Sequence, residues 1–246
     1  MKLPAALLAL CLIGFVALSA RAQQLVADLS NHLIAITTGF TGTEVVLFGA
    51  TDGAGDVAVV VTGPRTPITV RRKERTAGIW INRRSVTFPQ APSFYVVATS
   101  RPLQQTVSPP QLERHQIGLD HLRLEPEAEV SPERLAEFRE ALIRNKQRDG
   151  LYGTSTGAVT FLGDRLFRTN IYFPANVPTG LYTINVLLIR DNEVVSAQTT
   201  PLVVSKIGFS ADVFEFARGQ PIAYGVLAVA GAVAAGWLAA AAFRRV

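Results

Sequence analysis

The sequence has almost no cysteine. Cys11 is the only one, and it lies in the apolar run at the N-terminus. With that run removed the chain carries no thiol, which excludes disulfides and thiolate-held metals. Met1 is the only methionine, so a thioether copper site is excluded as well. There are three histidines, His32, His115 and His121. No Asn-x-Ser/Thr triplet occurs, a pattern closer to a bacterial exported protein than to a eukaryotic ectodomain. The charge is thinly spread too. The net value is +5, but residues 65–84 hold Arg65, Arg71, Arg72, Lys73, Arg75, Arg83 and Arg84 against Glu74 alone. The rest of the chain is close to neutral, so the basic balance is local and predicts no nucleic-acid affinity.

The chain does have long apolar runs, one at each end. Residues 221–243 contain no charged side chain and are followed by Arg244 and Arg245. As a helix this run of 23 residues is about 34 Å long, enough to cross a hydrocarbon core of about 30 Å. Only a helix or a closed barrel satisfies its own backbone in lipid. At the other end, Met1-Lys2, an apolar stretch from Leu3 to Leu18, and Ala20-Arg21-Ala22 predict a secretory signal over residues 1–22, cleaved after Ala22. The expectation is a single-pass inner-membrane protein with its bulk in the periplasm and residues 244–246 as a cytoplasmic tail.

Between these ends the chain reads as mainly β. Leu33–Thr38, Glu44–Phe48, Val57–Thr62, Ile68–Arg72, Ile79–Ile81, Val86–Phe88 and Phe94–Thr99 are short apolar or β-branched runs broken by Gly and Pro. Residues 23–100 are therefore a β-rich domain or the first half of a sandwich. Residues 101–150 are a Pro-rich connector, with a helical turn near Gln111–Ile117, and then one covering helix. Ser131 is expected to cap that helix, and Leu135, Phe138 and Leu142 share a face. Residues 151–207 return to strands: Ala158–Leu162, Leu166–Phe173, an alternating run through Tyr182, Ile184, Val186 and Leu188, and Glu193–Val204 after a hairpin at Asp191-Asn192. The fold expected is one or two immunoglobulin-like β-sandwiches with a covering α-helix and a C-terminal transmembrane helix. Residues 208–220 form a juxtamembrane segment, with Phe209, Phe214 and Phe216 suited to the headgroup zone.

Several motifs invite chemistry. Gly153-Thr154-Ser155-Thr156-Gly157 has the spacing of a nucleophile elbow, but a helix precedes it, a strand follows, and every histidine comes earlier in the chain. His115 and His121, with Glu113, Asp120 and Glu125, carry imidazole and carboxylate groups, yet the six-residue spacing matches neither a helical pair nor a finger. These sites leave a periplasmic enzyme or metal-binding protein as the alternative; the expectation is no catalytic residue, no metal and no cofactor. His32 shares a strand face with Ile34 and Ile36 and reads as an edge histidine.

The basic stretch is the most informative soluble feature. Arg71, Arg72, Arg75, Arg83 and Arg84, with Trp80 among them, suit an anionic ligand, anionic headgroups or an acidic partner surface; they equally suit a solvated face that keeps a sheet edge from pairing. In the terminal helix Ala228, Ala232, Gly236 and Ala240 recur every four residues, a small-residue stripe for close packing of a second helix.

Ser30-Asn31-His32-Leu33-Ile34-Ala35-Ile36, Phe40-Thr41-Gly42-Thr43-Glu44, Val70-Arg71-Arg72-Lys73-Glu74-Arg75, Ile79-Trp80-Ile81-Asn82-Arg83-Arg84, Phe173-Pro174-Ala175-Asn176-Val177-Pro178 and Gln220-Pro221 with Gly236-Trp237-Leu238 together resemble a family of alphaproteobacterial transmembrane proteins. The resemblance runs over nearly the whole chain. It implies an inner-membrane protein facing the periplasm and carries over no catalytic residue. It also implies an integral membrane partner, a sulfite-exporter-like permease, because relatives tend to be encoded beside one.

Overall fold

The computed structural model describes residues 24–76, 78–208, 213 and 216–243. The signal over 1–22, Phe209, Phe214, Arg244 and Arg245 lie outside the described residues. Among the described residues the chain forms twelve strands: β1 Leu25–Leu29, β2 Leu33–Ile36, β3 Gly42–Thr51, β4 Asp56–Thr62, β5 Arg65–Thr76, β6 Ile79–Pro92, β7 Tyr95–Thr99, β8 Gly157–Ala158, β9 Thr160–Leu162, β10 Leu166–Pro174, β11 Gly180–Arg190 and β12 Glu193–Lys206. The helices are α1 Leu103–Thr106, α2 Pro109–His115, α3 Pro132–Arg148 and α4 Pro221–Phe243, with a 3-10 turn at Leu119–His121.

The strands make two sheets and a separate ribbon. One sheet has the order β1-β3-β10-β9, the other β2-β12-β11-β4-β7-β8, and β5 pairs only with β6. Both sheets thus combine strands from before and after the helical segment. The sheets face each other across one apolar core: Phe173 of β10 meets Tyr182 of β11 edge to face at 5.8 Å, and Phe94 stacks on Phe173 at 5.2 Å. At the edge, the Gln198 side chain of β12 exchanges hydrogen bonds with the N–H and C=O of Ala27 in β1, at 2.8 and 2.7 Å.

The local sequence explains the strand faces. In β10, Phe167, Thr169, Ile171 and Phe173 point inward while Leu166, Arg168, Asn170 and Tyr172 point out, the period of a half-covered strand. β4 differs: Val57 through Val61 are buried on both faces, as their unbroken apolar run requires. Asp191 and Asn192, with φ of 50° and 64°, make the two-residue turn that joins β11 to β12. Tyr182 donates from its hydroxyl to the Pro178 carbonyl at 2.6 Å, pinning the loop that enters β11. Burial raises its phenol pKa.

Several boundaries move. Ile79–Ile81 and Val86–Phe88 are one strand of 14 residues, because the charged positions between them keep their backbone pairing with β5. Ala158–Leu162 is split between sheets at the buried Val159: β8 pairs with β7, and β9 with β10. β1, Leu25–Leu29, is a further strand ahead of the runs expected from sequence. Ser131 does precede α3, but its side chain makes no capping bond; only its carbonyl accepts, from Leu135 N–H at 2.9 Å. The 101–130 segment does more than connect. Val107, Leu112, Ile117, Leu122 and Leu124 are all buried in the core. Arg101 pairs with Asp56 at one end of β4, and Gln116 accepts from Tyr95 OH, which lies at the other end.

In α4 the apolar surface runs all the way round. The helix is long and apolar enough to cross a membrane, and none of that span is buried against the rest of the chain. Its first turns continue a helical segment from Phe216, whose ring meets Tyr224 edge to face at 6.3 Å.

Candidate binding surface on the β5–β6 ribbon

The ribbon is built from two long strands that turn at Gly78, whose φ of +88° suits a residue without a side chain. Its root is packed. Val70 and Val86 are register partners, both buried, and Phe138 and Leu142 of α3 are buried in the same core. Beyond this pair the ribbon continues for about 20 Å, six residues at roughly 3.3 Å each. This outer part is solvent-exposed at every described position except the half-buried Glu74.

A β-bulge sorts the cations. Arg72 pairs with Arg84 and Lys73 with Asn82, so Arg83 has no register partner. Val70, Arg72 and Glu74 share the face that looks toward α3. There Arg72 lies 2.7 Å from Glu137 of α3, and Glu74 lies 4.0 Å from Arg72 and 3.5 Å from Arg84. The opposite face carries Arg71, Lys73 and Arg75 from β5, with Ser85, Asn82 and Trp80 as their partners on β6. Among the described residues no acidic side chain pairs with Arg71, Lys73, Arg75 or Arg83. The tip is apolar on both faces: Ile79, Trp80 and Ile81 are 67%, 65% and 42% exposed.

Apart from Arg83 in the bulge, the residues singled out in sequence fall into two groups. Arg71, Arg75 and Trp80 come together on an uncompensated face. Arg72 and Arg84 lie across the ribbon, neutralised by Glu74 and Glu137. Sequence reasoning counted Lys73 in the basic stretch without naming it as a site residue, and singled out neither Ile79 nor Ile81. The signal for Lys73 was its alternation with Arg71 and Arg75, and for the isoleucines their position beside a turn glycine.

The ribbon also has a defined place on the body. Thr62 at the end of β4 pairs with Thr183, and Gly180 at the start of β11 pairs with Val204 of β12. Gly180 has a φ of +142°, and a Cβ there would lie 2.8 Å from Pro64, the residue before β5. Gly63 N–H donates to Phe94 O at 2.8 Å, closing the other side of the root. The ribbon thus leaves the six-stranded sheet at the end where β12 finishes.

The other candidates stand apart. Ser155 lies on an exposed bend, followed by β8 rather than a helix. Glu113, Asp120, His121 and Glu125 do line one depression of about 300 Å³, shared with Arg123 and Arg139. Among the described residues no three His, Cys, Asp or Glu side chains are placed to hold a metal ion. Arg139 is committed there to the carbonyls of Leu119, Asp120 and Leu122, and so braces the 3-10 turn against α3. His115 ends α2 outside that lining, and burial, with Arg114 adding to it, lowers its pKa. His32 is an exposed turn residue, 2.9 Å from Asp28 Oδ1, one position before β2 begins. Ala228, Ala232, Gly236 and Ala240 are exposed along α4.

Residues 24–245 match the model of a family described as "Putative transmembrane protein (Alph_Pro_TM)". No curated protein and no solved structure matches the chain.

Proposed function

The chain belongs to this family of transmembrane proteins, and from that premise we propose a single-pass, membrane-anchored periplasmic module that acts without catalysis by binding a partner at a bacterial inner membrane. The observation that carries the reading is α4, a 23-residue apolar helix that finds no cover on its own body. The two ends of the sequence support an orientation: Lys2 ahead of a secretory signal, and Arg244 and Arg245 after the span, favour the folded bulk outside and the C-terminus inside.

The body suits binding. Its order β1-β3-β10-β9 follows the A-B-E-D sheet of an immunoglobulin domain, and β12-β11-β4-β7 follows G-F-C-C′. Tyr182 near the start of β11 makes the bond to upstream backbone that marks a tyrosine corner, and Ile184 stands where an antibody domain has its second cysteine. On this reading the β5–β6 ribbon replaces the short C–C′ connection and is the element that recognises an anionic surface. The stripe Ala228, Ala232, Gly236 and Ala240 packs on a helix of an integral membrane protein, for which a sulfite-exporter-like permease is the candidate.

Topology reporters test the anchor. A reporter active only outside the cytoplasm, joined after Lys206, is expected to be active, and one active only in the cytoplasm is expected to work after Val246. The reverse pair would overturn the reading. For the helix stripe, Gly236→Leu is expected to reduce photo-crosslinking from α4 to a neighbouring membrane helix; an unchanged yield removes the stripe from the account.

A further inference from the structure

We propose that the tip of the β5–β6 ribbon is a second membrane contact, seating Ile79, Trp80 and Ile81 in the headgroup layer of the bilayer that α4 crosses, with Arg71, Lys73 and Arg75 held by anionic lipid. This rests on the anchored-module reading and gives its ribbon a chemical partner.

Three observations converge. The first is position: Pro64 at the ribbon root abuts Gly180, which pairs with Val204 only two residues before β12 ends. The ribbon and the end of β12, the last strand before α4 in sequence, therefore lie at one end of the body. The second is the order of chemistry along the ribbon. Ile79, Trp80 and Ile81 are outermost, then Arg75, Lys73 and Arg71 follow at alternate positions, about 7 Å apart along β5. A bilayer surface presents the matching order, with the acyl boundary deepest, phosphates above it and water beyond; tryptophan favours that boundary and basic side chains the phosphates. The third is that the apolar tip is two-sided. Trp80 lies on the cationic face, while Ile79 and Ile81 lie on the face of Arg72 and Glu74, and all three are exposed. A lipid layer surrounds both faces of such a tip at once. Charge agrees, since among the described residues Arg71, Lys73 and Arg75 have no acidic partner, and anionic headgroups supply one.

The chain has two tryptophans, Trp80 and Trp237, which makes each a separate reporter once the other is Phe. Full-length Trp237→Phe protein is reconstituted in lipid nanodiscs of phosphatidylcholine, with or without phosphatidylglycerol. Trp80 emission is read against a quencher carried on the lipid and against aqueous acrylamide. Expected is strong lipid quenching and acrylamide protection in the phosphatidylglycerol discs, and weak lipid quenching in the neutral ones. Adding Arg71→Gln, Lys73→Gln and Arg75→Gln, all at exposed positions that leave the packed root intact, is expected to lower partition of the tip on the order of 100-fold. Trp80 open to acrylamide and unquenched by lipid in both discs overturns the proposal. So does quenching that appears only after other membrane proteins are co-reconstituted, which would assign the tip to a protein. Trp237, read in the Trp80→Phe chain, separates the two readings. If its emission is quenched deep in the bilayer while Trp80 stays in water, the anchor stands and only the ribbon contact falls; if Trp237 is not quenched, both fall.

Discussion

Glu74 Oε1 lies 3.5 Å from Arg84 Nε across the ribbon, and 4.0 Å from Arg72 Nε on its own strand. One carboxylate thus tempers two guanidinium groups, while Arg71, Lys73 and Arg75 on the opposite face have no acidic partner among the described residues. Glu74→Gln adds one net positive charge and releases Arg84, leaving Arg72 to Glu137 alone. The expected result is tighter association of the ribbon with anionic bilayers, seen as a higher salt concentration needed to release the tip. A salt midpoint equal to that of the unchanged protein would show that the α3-facing side takes no part.

Arg72 and Glu137, 2.7 Å apart, join the ribbon to α3, but both side chains are about half exposed. Such a pair contributes about 0–1 kcal/mol. The ribbon is held instead by apolar packing at its root, where Phe138 is 3% exposed. Phe138→Ala is expected to cost about 3–5 kcal/mol. Hydrogen exchange should show amides of 132–148 losing protection before those of β11, because α3 touches the ribbon more than the two sheets. Equal loss throughout the body would mean that the ribbon and α3 are not a separable unit.

Tyr182 holds the entry to β11 through one hydrogen bond, its hydroxyl donating to the Pro178 carbonyl at 2.6 Å. Tyr182→Phe keeps the ring against Phe94 and Phe173 and removes only that bond. The expected loss is about 1 kcal/mol in denaturant unfolding. A loss near that of a core cavity would assign the residue's role to packing.

The Asp56 carboxylate accepts hydrogen bonds from Arg101 and from Ser100 Oγ, the latter at 2.9 Å. The Arg101 hydrogen bond lowers its pKa, burial works against that, and Ser100 and the charge of Arg101 add to the lowering. An aspartate lowered in the folded state stabilises above its unfolded value of about 3.9, and that contribution disappears as pH falls through the folded value. Stability measured against pH should therefore fall more steeply below about pH 4 for the unchanged protein than for Asp56→Asn, the two curves converging in acid. Parallel curves would show that Asp56 has the same affinity for protons folded and unfolded.

Much of the architecture was legible locally. The Asp191-Asn192 turn, the α3 face of Leu135, Phe138 and Leu142, and the alternation through Tyr182, Ile184, Val186 and Leu188 each depend on residues close in sequence. The candidate site was only half legible. Its basic stretch stood out by composition, but Arg71 and Arg72 look equivalent in a list, and so do Arg83 and Arg84. The bulge at Arg83 and the ion pairs to Glu74 and Glu137 divide them, and the helix residue Glu137 is remote from the ribbon in the chain.

What the sequence determined alone is the solvent each part prefers. A run of 23 apolar residues without a charge is suited to lipid whatever surrounds it, because that preference sums over its own side chains and backbone. What the tertiary structure decided is which strands share a sheet and which face each cation takes. Strand pairing joins residues more than a hundred positions apart, as Val46 and Asn170 are, and a one-residue change in register turns every side chain to the other face.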